Sequence, residues 1–153
     1  MIAQKFSPSG VVLATKLLGS SGKDKANGIV CDTDDNVYVT GRVPSTADNK
    51  VYSGGASDIL VSKFSSNGTK LWTQLHGSSG ADYPTGIAVN SNRGLIFTVG
   101  YIKASSFYNS PTNSEVETPF FLALHSTNGS RVSSQVFPAT GTYSASIDGI
   151  ASR

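Results

Sequence analysis

The chain has 153 residues, 38% of them hydrophobic and only 14% charged, which fits a globular, turn-rich protein and excludes a disordered one. Its formal charge of +2, spread over scattered lysines, is too weak a field to recruit a phosphate backbone, so nucleic acid is not an expected partner. No run is long and apolar enough to span a bilayer, and Cys31, the single cysteine, excludes an internal disulfide or a thiolate zinc site within one chain.

Sixteen glycines, many Ser, Thr and Asn, and short apolar runs predict an all-β chain with frequent tight turns. The opening Met1-Ile2-Ala3-Gln4-Lys5 has no signal-peptide core, and Ile2 to Phe6 reads as a strand. A glycine-rich loop follows at Gly19-Ser20-Ser21-Gly22-Lys23-Asp24. It is not a phosphate-binding P-loop, since the glycine spacing is too short and no helix follows; Asp24 is expected to cap a tight turn. Gly28 to Asp32 and Val37 to Thr40 flank the polar cluster Thr33-Asp34-Asp35-Asn36 and read as a hairpin, with Cys31 a small buried side chain. After a polar loop from Arg42 to Ser57, a second hairpin joins Ile59–Phe64 to Lys70–Leu75 through Asn67-Gly68, a dipeptide that tolerates positive φ.

The chain then repeats itself. Gly77-Ser78-Ser79-Gly80-Ala81-Asp82 restates the loop at Gly19, an offset of 58 residues that also carries Phe6 onto Phe64 and Gly10 onto Gly68. Strands are expected at Gly86–Asn90, Leu95–Thr98, Phe120–Leu124 and Arg131–Val136, with Asn128-Gly129 at the matching turn and a long loop from Lys103 to Pro119. Phe107 and Tyr108 stand out among small polar residues in that loop, a place where binding function often sits. Gly149 to Arg153 matches a first strand. The predicted organisation is therefore a half unit (1–27), two four-stranded meanders (28–85 and 86–148) and the first strand of another (149–153). Such units leave terminal faces wet, so closure is expected from further units of the same protein or from other copies assembling head to tail.

Candidate chemistry is sparse. Asp32, Asp34 and Asn36 place oxygen atoms at alternate positions, which fits a hard cation such as calcium; the other reading is that they set the turn through the local backbone. No other cofactor is expected. His76 and His125 show no partner nucleophile or ligand and read as partly exposed residues. Asn67 and Asn128 open glycosylation sequons at equivalent hairpin tips. Gly28 and Gly86 start the strands nearest a crowded axis, and Trp72 is expected to pack one unit on the next.

Asp24, Gly28-Ile29-Val30-Cys31-Asp32, Asn36-Val37-Tyr38-Val39-Thr40-Gly41, Asp58-Ile59-Leu60-Val61-Ser62-Lys63-Phe64, Asn67-Gly68 and Leu71-Trp72 together resemble the β-propeller repeats known as SBBP repeats. The match fades downstream, where Thr98-Val99-Gly100 is one residue longer than Thr40-Gly41, and Ser133 and Pro138 stand at the Trp72 and Gly77 positions. Asn67 to Trp72 is also similar to the tryptophan-docking signature of quinone-binding alcohol dehydrogenase propellers, without their calcium and carboxylate pattern. The resemblance implies propeller blades, commonly about seven, and no fixed chemistry. The expected role is a non-enzymatic scaffold, extracellular or surface-associated, for protein or glycan interaction or for structural assembly, with no catalytic residues. The alternative is a fragment of a propeller enzyme, a hydrolase or quinone-type dehydrogenase, whose active site lies in other blades.

Overall fold

The computed structural model describes residues 1–137 and Ile150; Pro138 and, Ile150 apart, the strand expected over Gly149–Arg153 lie outside them. The described fold is all-β. Strands β1 (Ile2–Phe6) and β2 (Val12–Leu17) form a two-stranded antiparallel ribbon. Strands β3 (Lys25–Cys31), β4 (Val37–Val43), β5 (Asp58–Phe64) and β6 (Lys70–His76) form a four-stranded antiparallel meander. Strands β7 (Ala81–Asn90) and β8 (Leu95–Lys103) open a second such sheet, a short hairpin of β9 (Ser106–Phe107) and β10 (Ser110–Pro111) interrupts it, and β11 (Thr118–His125) and β12 (Arg131–Val136) complete it.

The sheets stack face to face, and residue order along the central strands shows why. In β5, Asp58-Ile59-Leu60-Val61-Ser62 is buried without a break, because alternate side chains enter two different cores. Ile59 and Val61 join Tyr38 in the core shared with Ile87, Ile96, Phe120, Leu122 and Leu124 of the second sheet. Leu60 and Phe64 point the other way and join Leu18, Val39 and Val43 in a smaller core beneath Met1 and Ala3. The first four-stranded sheet thus packs against a neighbour on both sides, which is the packing logic of stacked repeat units.

Three sequence expectations require correction. β3 and β7 begin at Lys25 and Ala81 and not at Gly28 and Gly86, because each carries a bulge, between Ala26 and Gly28 and between Pro84 and Gly86, that lets a polar segment extend the ladder. Cys31 is exposed. It shares a face of β3 with exposed Ile29, and the ribbon β1–β2 packs on β4 and β5 and leaves β3 bare. His76 is buried, its ring held between Tyr108 and the Gly129 carbonyl. The one-residue excess of the second repeat sits in the β7–β8 turn, where Ser91–Arg93 forms a single 3-10 turn closed by Gly94. Consequently Val99 opposite Gly86, and not Thr98, is the counterpart of Thr40 opposite Gly28.

Candidate functional site

An antiparallel meander sends alternate connections to opposite ends, so the four-stranded sheets have two unlike rims. One rim carries the short turns 32–36, 65–69, 91–94 and 126–130; the other carries the long connections 44–57 and 104–117 and the junction 77–80.

On the short-turn rim the Asp32 carboxylate is fully engaged by its own turn. It accepts from the backbone of Asp34 and Asn36, from the Asn36 amide and from the Tyr38 hydroxyl at 2.9 Å. These bonds hold its pKa below the usual range despite partial burial. Asp34 is exposed, and Asn36 points its amide at Asp32. Among the described residues, no three His, Cys, Asp or Glu side chains converge as a metal site. Asn67 and Asn128 sit at exposed tips, each Oδ1 accepting from the backbone N–H two residues on. Trp72 lies across the sheet boundary: its indole N–H donates to the Ser126 carbonyl at 3.3 Å and its ring tilts against Tyr38. Gly129 makes room for it, since a methyl group there would come within 2.7 Å of the indole. A methyl at Gly28 would come within 3.0 Å of Ile87 in the neighbouring sheet. Gly86 follows the β7 bulge and accepts from the Thr98 hydroxyl.

The junction loops on the opposite rim repeat in detail. The Ser20 N–H and hydroxyl donate to the Asp24 carboxylate at 3.0 and 2.6 Å, and Ser78 does the same to Asp82 at 2.9 Å for both. Both aspartates are turn caps. Their surroundings differ: the N-terminal ammonium lies 3.8 Å from Asp24, whereas Asp82 is fully buried and has Asp58 as its charged neighbour. Burial first, and the Asp58 charge second, push Asp82 up to about 7, against the bonds from Ser78. Asp58 is raised too, by burial, and its Oδ1 has no hydrogen-bond partner while Oδ2 accepts from Ser53 N–H at 2.6 Å.

Next to this pair, His76 closes the end of β6. Gly129 O can only accept, so Nε2 of His76 carries the proton and donates to it at 3.1 Å; Nδ1 then accepts from the Tyr108 hydroxyl at 2.7 Å. Burial, with Arg131 adding a like charge, lowers this imidazole to about 4, so the ring is neutral at physiological pH. Burial likewise pushes Tyr108 up to about 12. The long loop expected from Lys103 to Pro119 is partly core, with Ala104, Phe107 and Val116 buried. Tyr108 and Asn109 adopt positive φ at the β9–β10 turn, which folds Phe107 inward against Phe120 in the main core and sets Tyr108 beneath the Arg131 guanidinium, 4.4 Å from the ring centre. His125 stays exposed. The repeat itself carried a signal for His76, since 58 residues earlier stands Leu18, a core residue.

The 44–57 connection tucks Ala47 into the smaller core. Asp48 anchors it to β6 through Lys70 and the Thr73 hydroxyl, both at 2.6 Å, while Val51 at its crest is 84% exposed. Gly55 runs against Gly80 so tightly that any side chain there would strike the Gly80 carbonyl.

Residues 15–42 match the family model of the SBBP beta-propeller repeat. The matched stretch covers the end of β2, the Ser20–Asp24 turn, β3 and nearly all of β4, and so bridges two stacked units. No curated protein matches the chain. The chain carries a β-propeller repeat, and its all-β, four-stranded sheets are consistent with a partial propeller.

Proposed function

We propose that this chain is part of a non-enzymatic, extracellular or surface-associated β-propeller scaffold that presents its long-loop rim, above all 44–57, to a protein or glycan. One observation carries the reading. The groups on that rim able to do acid–base chemistry, Asp58, Asp82, His76 and Tyr108, are sunk into the junction and bonded to the fold's own turns, while the crest at Val51 is held out to solvent by an anchored base. The bare apolar face of the β1–β2 ribbon supports a second element: a further propeller unit, from the same polypeptide or another copy, covers it. Export would make Asn67 and Asn128 glycosylation sites, at tips where a glycan clears the packing.

Beside Val51 stands half-buried Tyr52, whose hydroxyl donates to the Gly55 carbonyl at 2.9 Å. The test is an array of defined glycans and peptides probed with the labelled chain and with a Val51→Asp, Tyr52→Ala double variant. Binding that the variant loses supports the loop rim as the interaction surface. An array silent toward the native chain, or binding the variant retains in full, contradicts it.

A further inference from the structure

Where β3 and β4 reach the long-loop rim, Lys25 stands directly opposite Arg42. Like charges directly opposed across a ladder are destabilising, and Lys23 adds a third cation two residues away. None of the three has a carboxylate partner among the described residues. Asp24, which lies between the two lysines in sequence, is turned away to Ser20. The strand positions equivalent to Lys25 and Arg42 in the second sheet hold Tyr83 and Tyr101, which stack with ring centres 4.9 Å apart. The Arg42 guanidinium lies over the Tyr83 ring at 4.8 Å. The arginine is therefore fixed by π contact while its N–H fork has no acceptor among the described residues, an arrangement pre-organised for a planar oxyanion. Beside it lies an open cavity of about 240 Å³ lined by Lys23, Arg42, Pro44, Ala56, Ser57 and Tyr83.

We propose that this cavity is a binding site for an acidic sugar, whose carboxylate pairs with the Arg42 fork and Lys23 while Pro44, Ala56 and the edge of Tyr83 offer apolar surface to the sugar ring. The proposal rests on the loop-rim reading above and names its ligand class. Both cations are needed: Arg42 for bidentate geometry, Lys23 for charge. A sugar is favoured over a bare anion because the cavity has apolar walls, Pro44, Ala56 and Tyr83, beside its charges.

The experiment is a titration of the whole chain with trigalacturonate, with neutral galactotriose as the uncharged counterpart and inorganic sulfate as the bare anion, followed by the side-chain NMR signals of Arg42 and Tyr83. Trigalacturonate should shift both and galactotriose neither; Arg42→Gln should weaken binding at least tenfold, and Lys23→Gln, at an exposed site where folding is not at stake, severalfold. Arg42→Lys should recover only part of the affinity. Equal binding of galactotriose, sulfate shifting the signals as tightly as trigalacturonate, or no shift with any probe overturns the proposal. So does affinity unchanged in the Arg42→Gln and Lys23→Gln variants. A chain that ignores trigalacturonate yet binds an array ligand through Val51 and Tyr52 loses only this assignment; one silent in both experiments loses the loop-rim reading as well.

Discussion

Leu60 and Phe64 in the first sheet and Ile2 and Phe6 in the β1–β2 ribbon occupy the same positions of the repeat, 58 residues apart, yet the former are 0% and 4% exposed and the latter 62% and 53%. The chemistry of the side chains is alike; what differs is the neighbour. The ribbon covers Leu60 and Phe64, and no described residue covers the outer face where Ile2, Phe6 and Leu17 lie bare. Burial in this fold is therefore a property of stacking and not of any one sheet, and each unit's stability is borrowed from the next.

The largest contrast is expected from truncation on the two sides. Leu122→Ala, in the core between the sheets, should cost roughly 2–5 kcal/mol in urea unfolding. Ile2→Ala should cost less than about 0.5 kcal/mol, as exposed substitutions do. Equal losses would break the comparison.

The junction between the sheets gives the next effect, on the order of 3 kcal/mol. Asp82 releases its proton near 7 when folded and near 3.8 when unfolded, so folding takes up a proton between those values and this group's contribution falls as pH rises through that window. Asp58, also raised, has the same sign. His76 runs the other way: the unfolded ring is charged below 6.5 and the folded ring only below about 4, so its contribution grows as pH rises between them. The two oppose each other in the native chain. Asp82→Asn should leave stability climbing from pH 4 to 6.5, and His76→Gln should leave it falling from pH 4 to 7. Slopes that match the native chain in both variants would remove the junction electrostatics from the account.

A smaller loss, about 1 kcal/mol, is expected for Trp72→Phe, which keeps an aromatic ring near Tyr38 and removes the hydrogen bond to Ser126. Calorimetry should place it between the core and surface variants. Smallest in energy is the behaviour of Cys31. Lying on the uncovered face of β3, it should react with a thiol reagent in the folded chain nearly as fast as in urea, and a docked neighbouring unit should slow it. A thiol that reacts only after unfolding would mean that this face is already covered.

The repeat made most of this architecture legible. Asn67-Gly68 and Asn128-Gly129 marked their turns because positive φ is needed there, +80° and +71° at the glycines. The strand starts at Lys25 and Ala81 were not legible, because bulges carry the ladder through residues with no apolar alternation. The exposure of Cys31 was hidden for a related reason, since a strand's own residues do not reveal that its neighbour is only two strands wide. Phe107 was misread because a polar loop gives no apolar alternation to mark it; positive φ at Tyr108 and Asn109 turns it into the main core, as Asp48 and Asn49 turn Ala47 into the smaller core in the matching loop of the first unit. Arg42, Tyr83 and Tyr101 were invisible as a group, since they meet across two sheets and share no linear motif.

Stacking of the two four-stranded sheets is tested most directly by proton NMR of Gly129, whose α-carbon lies against the Trp72 indole. Its α protons should be shifted strongly upfield by the ring and should show cross-peaks to it. Ordinary glycine shifts with no contact to Trp72, in a chain that still shows both meanders, would mean that the sheets fold without packing on one another.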